Sequence, residues 1–219
     1  AGEERLESER PWVKAVIASS LTGESRLGPV LEEWLQARGI PAVSGVDTRA
    51  LVRHLRERGT VMGRVSTVGR LPEKAELPRD LAIEASVKEL KVHNEGSGGH
   101  RIALLDYGVK ANIVRELLRR DCTLFQCPAG MDAASVLALR PDGIVLSNGP
   151  GDPSWLGPQV ETVAALLGKR PLWGICLGLQ VMALAAGAKT YKLPYGHRGA
   201  NHAVAEAGGD RGWITSQNH

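Results

Sequence analysis

The feature that most restricts the fold of this chain lies near its end. Pro171 to Ile175 is an apolar run with the character of a buried strand, and Gln180 to Ala186 is a helical pattern that stops at Gly187. Between them stands one cysteine, Cys176, with Gly174 two residues before it and Gly178 two residues after it. A strand, a sharp turn bearing a nucleophile and a helix make the arrangement of a nucleophile elbow, here with Cys in place of Ser. Glycines at those two positions leave room for a strained turn that pushes the thiol out of the sheet. The helix that follows directs unpaired backbone N–H groups at the sulfur, which favours thiolate over thiol. The same groups, beginning with the N–H of Leu177, are placed to hold a developing oxyanion. The reaction class implied is covalent acyl transfer to cysteine. A cysteine on an apolar strand is more often a small buried hydrophobe, and Cys122 and Cys127, in the alternating stretch Asp121 to Pro128, read that way.

The pattern upstream of the elbow is regular. Arg101 to Leu105 reads as an apolar strand ending at Asp106, and Lys110 to Arg120 as a helix with Ile113, Val114, Leu117 and Leu118 inward. Thr123 to Cys127 is a strand, Asp132 to Leu139 a helix and Gly143 to Leu146 a strand. Pro158 opens the next helix at a first-turn position and Gly168 closes it. Strands alternating with helices on short connections predict an α/β fold with a doubly wound, mainly parallel sheet. Such sheets bind ligands at the carboxyl ends of their strands. Both the elbow and the loop Ser147 to Pro153 follow carboxyl ends. One crossover unit separates that loop from Cys176, and right-handed crossovers bring the two strands close. The run Asn148-Gly149-Pro150-Gly151-Asp152-Pro153 is by composition a plain turn cluster. Beside a nucleophilic thiol, its amides are a candidate second donor set, and its glycines let a substrate approach the main chain.

The first part of the chain is a smaller α/β pattern. Trp12 to Ser19 and Ala42 to Val46 are expected strands. Between them Gly28-Pro29 opens a helix with Val30, Leu31, Trp34 and Leu35 on one face, ended by Gly39. Asp47 is the expected N-cap of a second helix that carries Leu51, Val52 and Leu55 and stops at Gly59. A short strand is expected near Met62 to Val65 and a helix near Leu77 to Ala85. The polar, Gly-rich stretch His93 to His100 reads as a linker. The expected organisation is therefore part of an N-terminal domain at 1–92, a linker at 93–100 and the main domain at 101–219.

Composition narrows the function classes. Aromatic residues are 4% of the chain, so valine, leucine and alanine must build the core. The net charge of +3 is small and its charges are interspersed, which speaks against nucleic-acid binding. Three cysteines without framework spacing argue against a disulfide scaffold and for a reducing, cytoplasmic setting. No apolar run reaches transmembrane length, so no membrane partner is expected. No Gly-x-x-x-x-Gly-Lys-Ser/Thr loop occurs, so this chain is not expected to bind ATP.

Asn148 to Pro153 together with Gly174-Ile175-Cys176-Leu177-Gly178 and Gln180 resembles the two signatures of class I glutamine amidotransferases. Leu105 to Ile113, Gly196 to His202, Ser216 to His219 and Val46 to Gly59 are similar to the small-subunit family of carbamoyl phosphate synthetases. The resemblance implies hydrolysis of L-glutamine to glutamate and ammonia through a Cys176 thioester. It implies an oxyanion hole from the N–H groups of Leu177 and Gly149, and a glutamine pocket lined by Gly151, Gln180 and Asn218. Ammonia would pass to a large synthetase subunit, where ATP and Mg serve carbamoyl phosphate synthesis for pyrimidine and arginine pathways. No cofactor is implied for this chain itself. The family often has His where Leu179 stands, a position that is not its catalytic base. The family's catalytic His and Glu lie in a Gly-His-Pro-Glu-like motif, and this chain ends at His219 before one. The expectation is an internal portion of a longer subunit with an incomplete triad and little glutaminase activity of its own. His197 and His202 are expected to be structural loop residues. The alternatives are a glutaminase of another amidotransferase and a non-catalytic docking subunit.

Overall fold

The computed structural model describes residues 6–8, 10–21, 31–66, 69, 76 and 78–219. The chain divides into two compact units, one of residues 1–77 with 193–196 and one of residues 78–192 with 197–219.

In the first unit, β1 (Val16–Ile17) and β2 (Ala42–Val43) pair in parallel, with α1 (Leu31–Gln36) between them in sequence. Leu35 anchors α1, being 2% exposed. The expected opening of this helix at Gly28, Pro29 and Val30 lies outside the described residues. α2 (Thr48–Arg58) follows, and the Asp47 carboxylate accepts the Ala50 N–H at 2.9 Å, an N-cap at the expected residue. Gly59 closes it at φ 74°, a left-handed conformation that glycine adopts without strain. Both strands are shorter than their sequence patterns. Residues 61–66, the place of the strand expected near Met62, form no strand, and among the described residues no strand pairs with them; a lone strand leaves its backbone groups unsatisfied.

The second unit runs α3 (Leu81–Ala85), β3 (Lys91–His93), β4 (Arg101–Asp106), α4 (Ala111–Leu118), β5 (Thr123–Pro128), α5 (Ala133–Ala138) and β6 (Gly143–Leu146). A 3₁₀ turn, Pro153–Trp155, leads to α6 (Gly157–Leu166), β7 (Leu172–Gly174), α7 (Leu177–Ala185), β8 (Arg198–Ala205) and β9 (Gly212–Asn218). The sheet order is β3-β5-β4-β6-β7, parallel throughout except for the edge strand β3. Alternate residues of each strand feed opposite faces, as the two-residue period of a strand requires. Leu104, Leu124 and Val145 pack with Val114, Leu117 and Leu118 of α4 on one face. Ala103, Leu105, Ile144 and Leu146 pack with Val136, Val163, Leu166, Leu177 and Val181 of α5, α6 and α7 on the other. This is the doubly wound α/β arrangement expected. From β4 the chain steps outward to β5, then returns past β4 to β6 and β7. The strand order thus reverses between β4 and β6, the point at which such sheets form their crevice.

The division between the two compact units falls at residue 77. Residues 78–92 belong with the sheet because Ala82 is buried in its core and β3 pairs with β5. The Gly-rich stretch after β3 is held against Asp121 and Thr123 by the Ser97 hydroxyl. Gly196 to His202, read as loop, enters β8, which pairs antiparallel with β9 through Ala203↔Ile214 and Val204↔Trp213. α7 begins at Leu177 rather than Gln180, since the glycine at 178 is tolerated where it packs directly on β6.

Candidate active site at the switch point

Cys176 is the N-cap of α7 and has φ 52° and ψ −110°. A residue with a β-carbon in this sparsely populated region is strained by about 1–3 kcal/mol. The surroundings impose it. A β-carbon on Gly174 would lie 2.6 Å from the backbone of Leu179, and one on Gly178 would overlap the Leu146 carbonyl. The turn therefore sits flush on β6. Ile175 N–H donates to Leu146 O at 2.9 Å, and Gly178 N–H donates to Ser147 O at 3.0 Å. The thiol is half-buried, unlike the buried Cys122 and Cys127.

The loop after β6 is adjacent. A β-carbon on Gly149 would lie 2.8 Å from Leu177 Cδ2 and would overlap the Tyr107 carbonyl. Neither the Leu177 N–H nor the Gly149 N–H makes a hydrogen bond with the described residues. Gly151 has φ 100°, again a conformation for glycine. Asp152 caps the 3₁₀ turn by accepting the Ser154 N–H and hydroxyl at 2.9 and 2.7 Å. The Ser154 hydroxyl, the Ser154 N–H and the Lys192 ammonium hold the Asp152 carboxyl below the usual carboxylate range, against some desolvation. Gln180 is half-buried in the first turn of α7, its N–H donating to Cys176 O at 3.1 Å.

Cys176, Leu177, Gln180, Gly149 and Gly151 thus lie on two neighbouring loops and the start of one helix. Asn218 does not join them through any hydrogen bond. It is exposed on β9 opposite Arg198. The three histidines considered from the sequence gather in the hairpin instead. The His197 ring lies 4.8 Å from that of His202 and 6.4 Å from that of His219, and its Nδ1 is 3.1 Å from Gln217 Oε1. Among the described residues no histidine hydrogen-bonds the Cys176 thiol.

The structure adds residues that sequence reasoning passed over. Asp106, 2% exposed at the end of β4, accepts four hydrogen bonds. Its Oδ1 takes the N–H groups of Gly108 and Val109 at 2.8 Å, and its Oδ2 takes Val87 N–H at 3.1 Å and Gln126 Nε2 at 2.8 Å. The turn so formed grips the β6 loop. Tyr107 N–H donates to Ser147 Oγ at 2.9 Å, Lys110 N–H donates to Asn148 Oδ1 at 3.2 Å, and Asn148 Nδ2 donates to Gly108 O at 3.2 Å. Burial pushes the Tyr107 hydroxyl far above its ordinary range, and that hydroxyl has no hydrogen-bond partner among the described residues. The sequence signal was an Asp followed two residues later by Gly at a strand's carboxyl end, a turn pattern whose contact with the next loop only the sheet order reveals.

A family model described as glutamine amidotransferase class-I matches residues 103–219. The chain belongs to the class-I glutamine amidotransferase family. A second family model, carbamoyl-phosphate synthase small chain, CPSase domain, matches residues 1–65. The carbamoyl phosphate synthase small chain of Symbiobacterium thermophilum is 43% identical, the match covering 97% of this chain and 63% of the relative. That of Listeria innocua is 42% identical over 98% of this chain and 61% of the relative. The pyrimidine-specific small chain of Bacillus subtilis is 41% identical over 98% and 61%. The chain thus spans a little under two thirds of the length of these curated relatives. The elbow and the glycine loop both lie within the matched 103–219 region.

Proposed function

We propose that the protein hydrolyses L-glutamine to glutamate and ammonia and serves as the glutaminase of a carbamoyl phosphate synthase. One observation carries the chemistry. A half-buried thiol at a strained elbow lies next to Leu177 and near the Gly149 loop that packs on it, and the N–H groups of both residues are unpaired among the described residues. The Cys176 thiolate attacks the side-chain amide carbon of glutamine. The carbonyl electron pair moves onto oxygen, where the Leu177 and Gly149 N–H groups receive it. Collapse breaks the C–N bond and releases ammonia, which carries away the thiol's proton delivered through a base. Water then cleaves the thioester and restores the thiol. Gly151, Gln180 and Asn218 are the proposed glutamine contacts, and the base is assigned to none of His197, His202 and His219. That the relatives are small chains of a carbamoyl phosphate synthase supports a large partner subunit to which the ammonia passes. Use of ATP and Mg by that partner, in the cytoplasm, completes the proposal. No helix among the described residues is long and apolar enough to cross a membrane.

The test is Cys176→Ser in the protein as its gene encodes it, assayed with the large ATP-binding chain that should co-elute with it. Glutamine-dependent carbamoyl phosphate synthesis should vanish while ammonia-dependent synthesis persists, because a serine hydroxyl is far less acidic than a thiol. Undiminished glutamate release by the variant contradicts the proposal. Glutamine hydrolysis by the wild type without carbamoyl phosphate synthesis points to another synthase as the ammonia acceptor.

A further inference from the structure

We infer that Ser147 is a positioning residue that sets the direction of the Gly149 N–H by holding the peptide bond before it in one of its two orientations. The inference rests on the glutaminase reading above. The N–H of Gly149 and the carbonyl of Asn148 belong to one peptide unit, and the described chain contains no cis peptide bond. In a trans peptide the carbonyl and the N–H point in opposite directions. Whatever holds the Asn148 carbonyl therefore aims the Gly149 N–H. The Ser147 hydroxyl donates to that carbonyl at 2.7 Å. Ser147 is itself fully buried, and its oxygen accepts the Tyr107 N–H at 2.9 Å. With one N–H aimed at the oxygen, its own proton is left for the Asn148 carbonyl. The hydroxyl thus works as a polarised relay, Tyr107 N–H to Ser147 Oγ to Asn148 O.

The same serine reaches the elbow from its backbone. Its carbonyl accepts the Gly178 N–H at 3.0 Å, so one residue ties together the loop with the second oxyanion donor and the helix with the first. The Asn148 side chain adds a weaker latch through Lys110 N–H and Gly108 O, both at 3.2 Å. The turn that supplies Tyr107 and Gly108 is in turn fixed by the four bonds to Asp106. Rotating the Asn148–Gly149 peptide by half a turn would break the Ser147 bond and turn a carbonyl oxygen toward the place meant for an oxyanion. Nothing else among the described residues hydrogen-bonds that carbonyl.

The experiment uses Ser147→Ala in the protein as encoded, together with its partner chain, and reads four quantities. They are kcat and KM for glutamine, the rate of Cys176 alkylation by iodoacetamide, and the affinity for an aldehyde analogue of glutamine. The aldehyde adds reversibly to the thiol and places its oxygen where the oxyanion forms, whereas alkylation needs no oxyanion donor. Loss of a single such donor lowers kcat by roughly 100- to 1,000-fold. A peptide freed to flip should lower kcat by about 10- to 100-fold on the same basis, with aldehyde affinity falling in step. KM and the alkylation rate should stay within about threefold, since the thiol and pocket are untouched. Unchanged kcat and aldehyde affinity overturn the inference, as does a parallel loss of alkylation, which marks a general disturbance of the elbow. Should Ser147→Ala fail to fold, Ser147→Cys decides. It fills nearly the same space with a much weaker donor and should lower kcat by about 3- to 10-fold with alkylation at Cys176, followed by peptide mapping, intact, and an unchanged kcat overturns the inference. A wild type that neither releases glutamate nor binds the aldehyde overturns the glutaminase reading itself.

Discussion

At the scale of single residues, the elbow stores strain that glycine would relieve. Cys176 is held at φ 52° by packing at Gly174 and Gly178 and not by any preference of cysteine. Cys176→Gly should therefore be more stable than Cys176→Ala by about 1 kcal/mol, strain relief exceeding the extra chain entropy of glycine. Denaturant unfolding of the pair checks this, and equal midpoints would mean the turn relaxes around a β-carbon. Gly178→Ala has the opposite sense. Its methyl would overlap the Leu146 carbonyl, so α7 must lift off β6. A loss of about 2–3 kcal/mol is expected, from overpacking together with a weakened Gly178 N–H bond to Ser147. A variant with unchanged melting temperature would contradict the close contact.

At the scale of elements, helix caps behave as local rules dictate. Asp47 caps α2, a helix with no buried residue, so capping rather than burial decides how well it forms. Asp47→Ala should cost about 1 kcal/mol of helix stability, seen as faster amide exchange across residues 48–52. Asp132 caps α5 in the same way, its carboxyl lowered by the Ser135 N–H and hydroxyl. A depressed carboxyl contributes stability that is present above its unfolded value near 3.9 and is lost as pH falls through the folded value. Asp132→Asn should flatten the acid limb of stability while changing little at neutral pH. The caps could be read from sequence because an N-cap is satisfied by residues three positions away. β3 could not, because Lys91-Val92-His93 has no pattern of its own and becomes a strand only by pairing with Phe125 and its neighbours.

At the scale of the molecule, burial sorts three thiols that look alike in composition. Cys127 is fully buried on the core face of β5, and burial pushes its thiol up to about 12. A raised thiol contributes stability that is whole below its unfolded value, near 8.5, and is lost as pH rises toward the folded one. The protein should therefore weaken between about pH 8.5 and 12 by a component that Cys127→Ala lacks. At neutral pH, alkylation of the folded protein followed by peptide mapping should label Cys176 and spare Cys122 and Cys127. Labelling of all three at equal rates would contradict the packing. The alternation of strands and helices, the elbow glycines and the place of Cys176 were legible in the sequence, because each depends on contacts within one crossover unit. The unit boundary at 77 was not, since Ala82 and β3 are recruited by a core formed from residues beyond 101. Nor were the β8–β9 hairpin, the gathering of His197, His202 and His219 within it, and the bonds from Asp106 and Tyr107 to Ser147 and Asn148. Those pairings span some 40 residues in the case of the two loops. They exist because the chain, having placed β5 on one side of β4, returns to lay β6 on the other. Sequence alone determined that Cys176 stands at a strand-to-helix turn, because that depends only on the residues either side of it. The reversal of strand order determined which loops meet, and so which glycine loop packs against the start of α7.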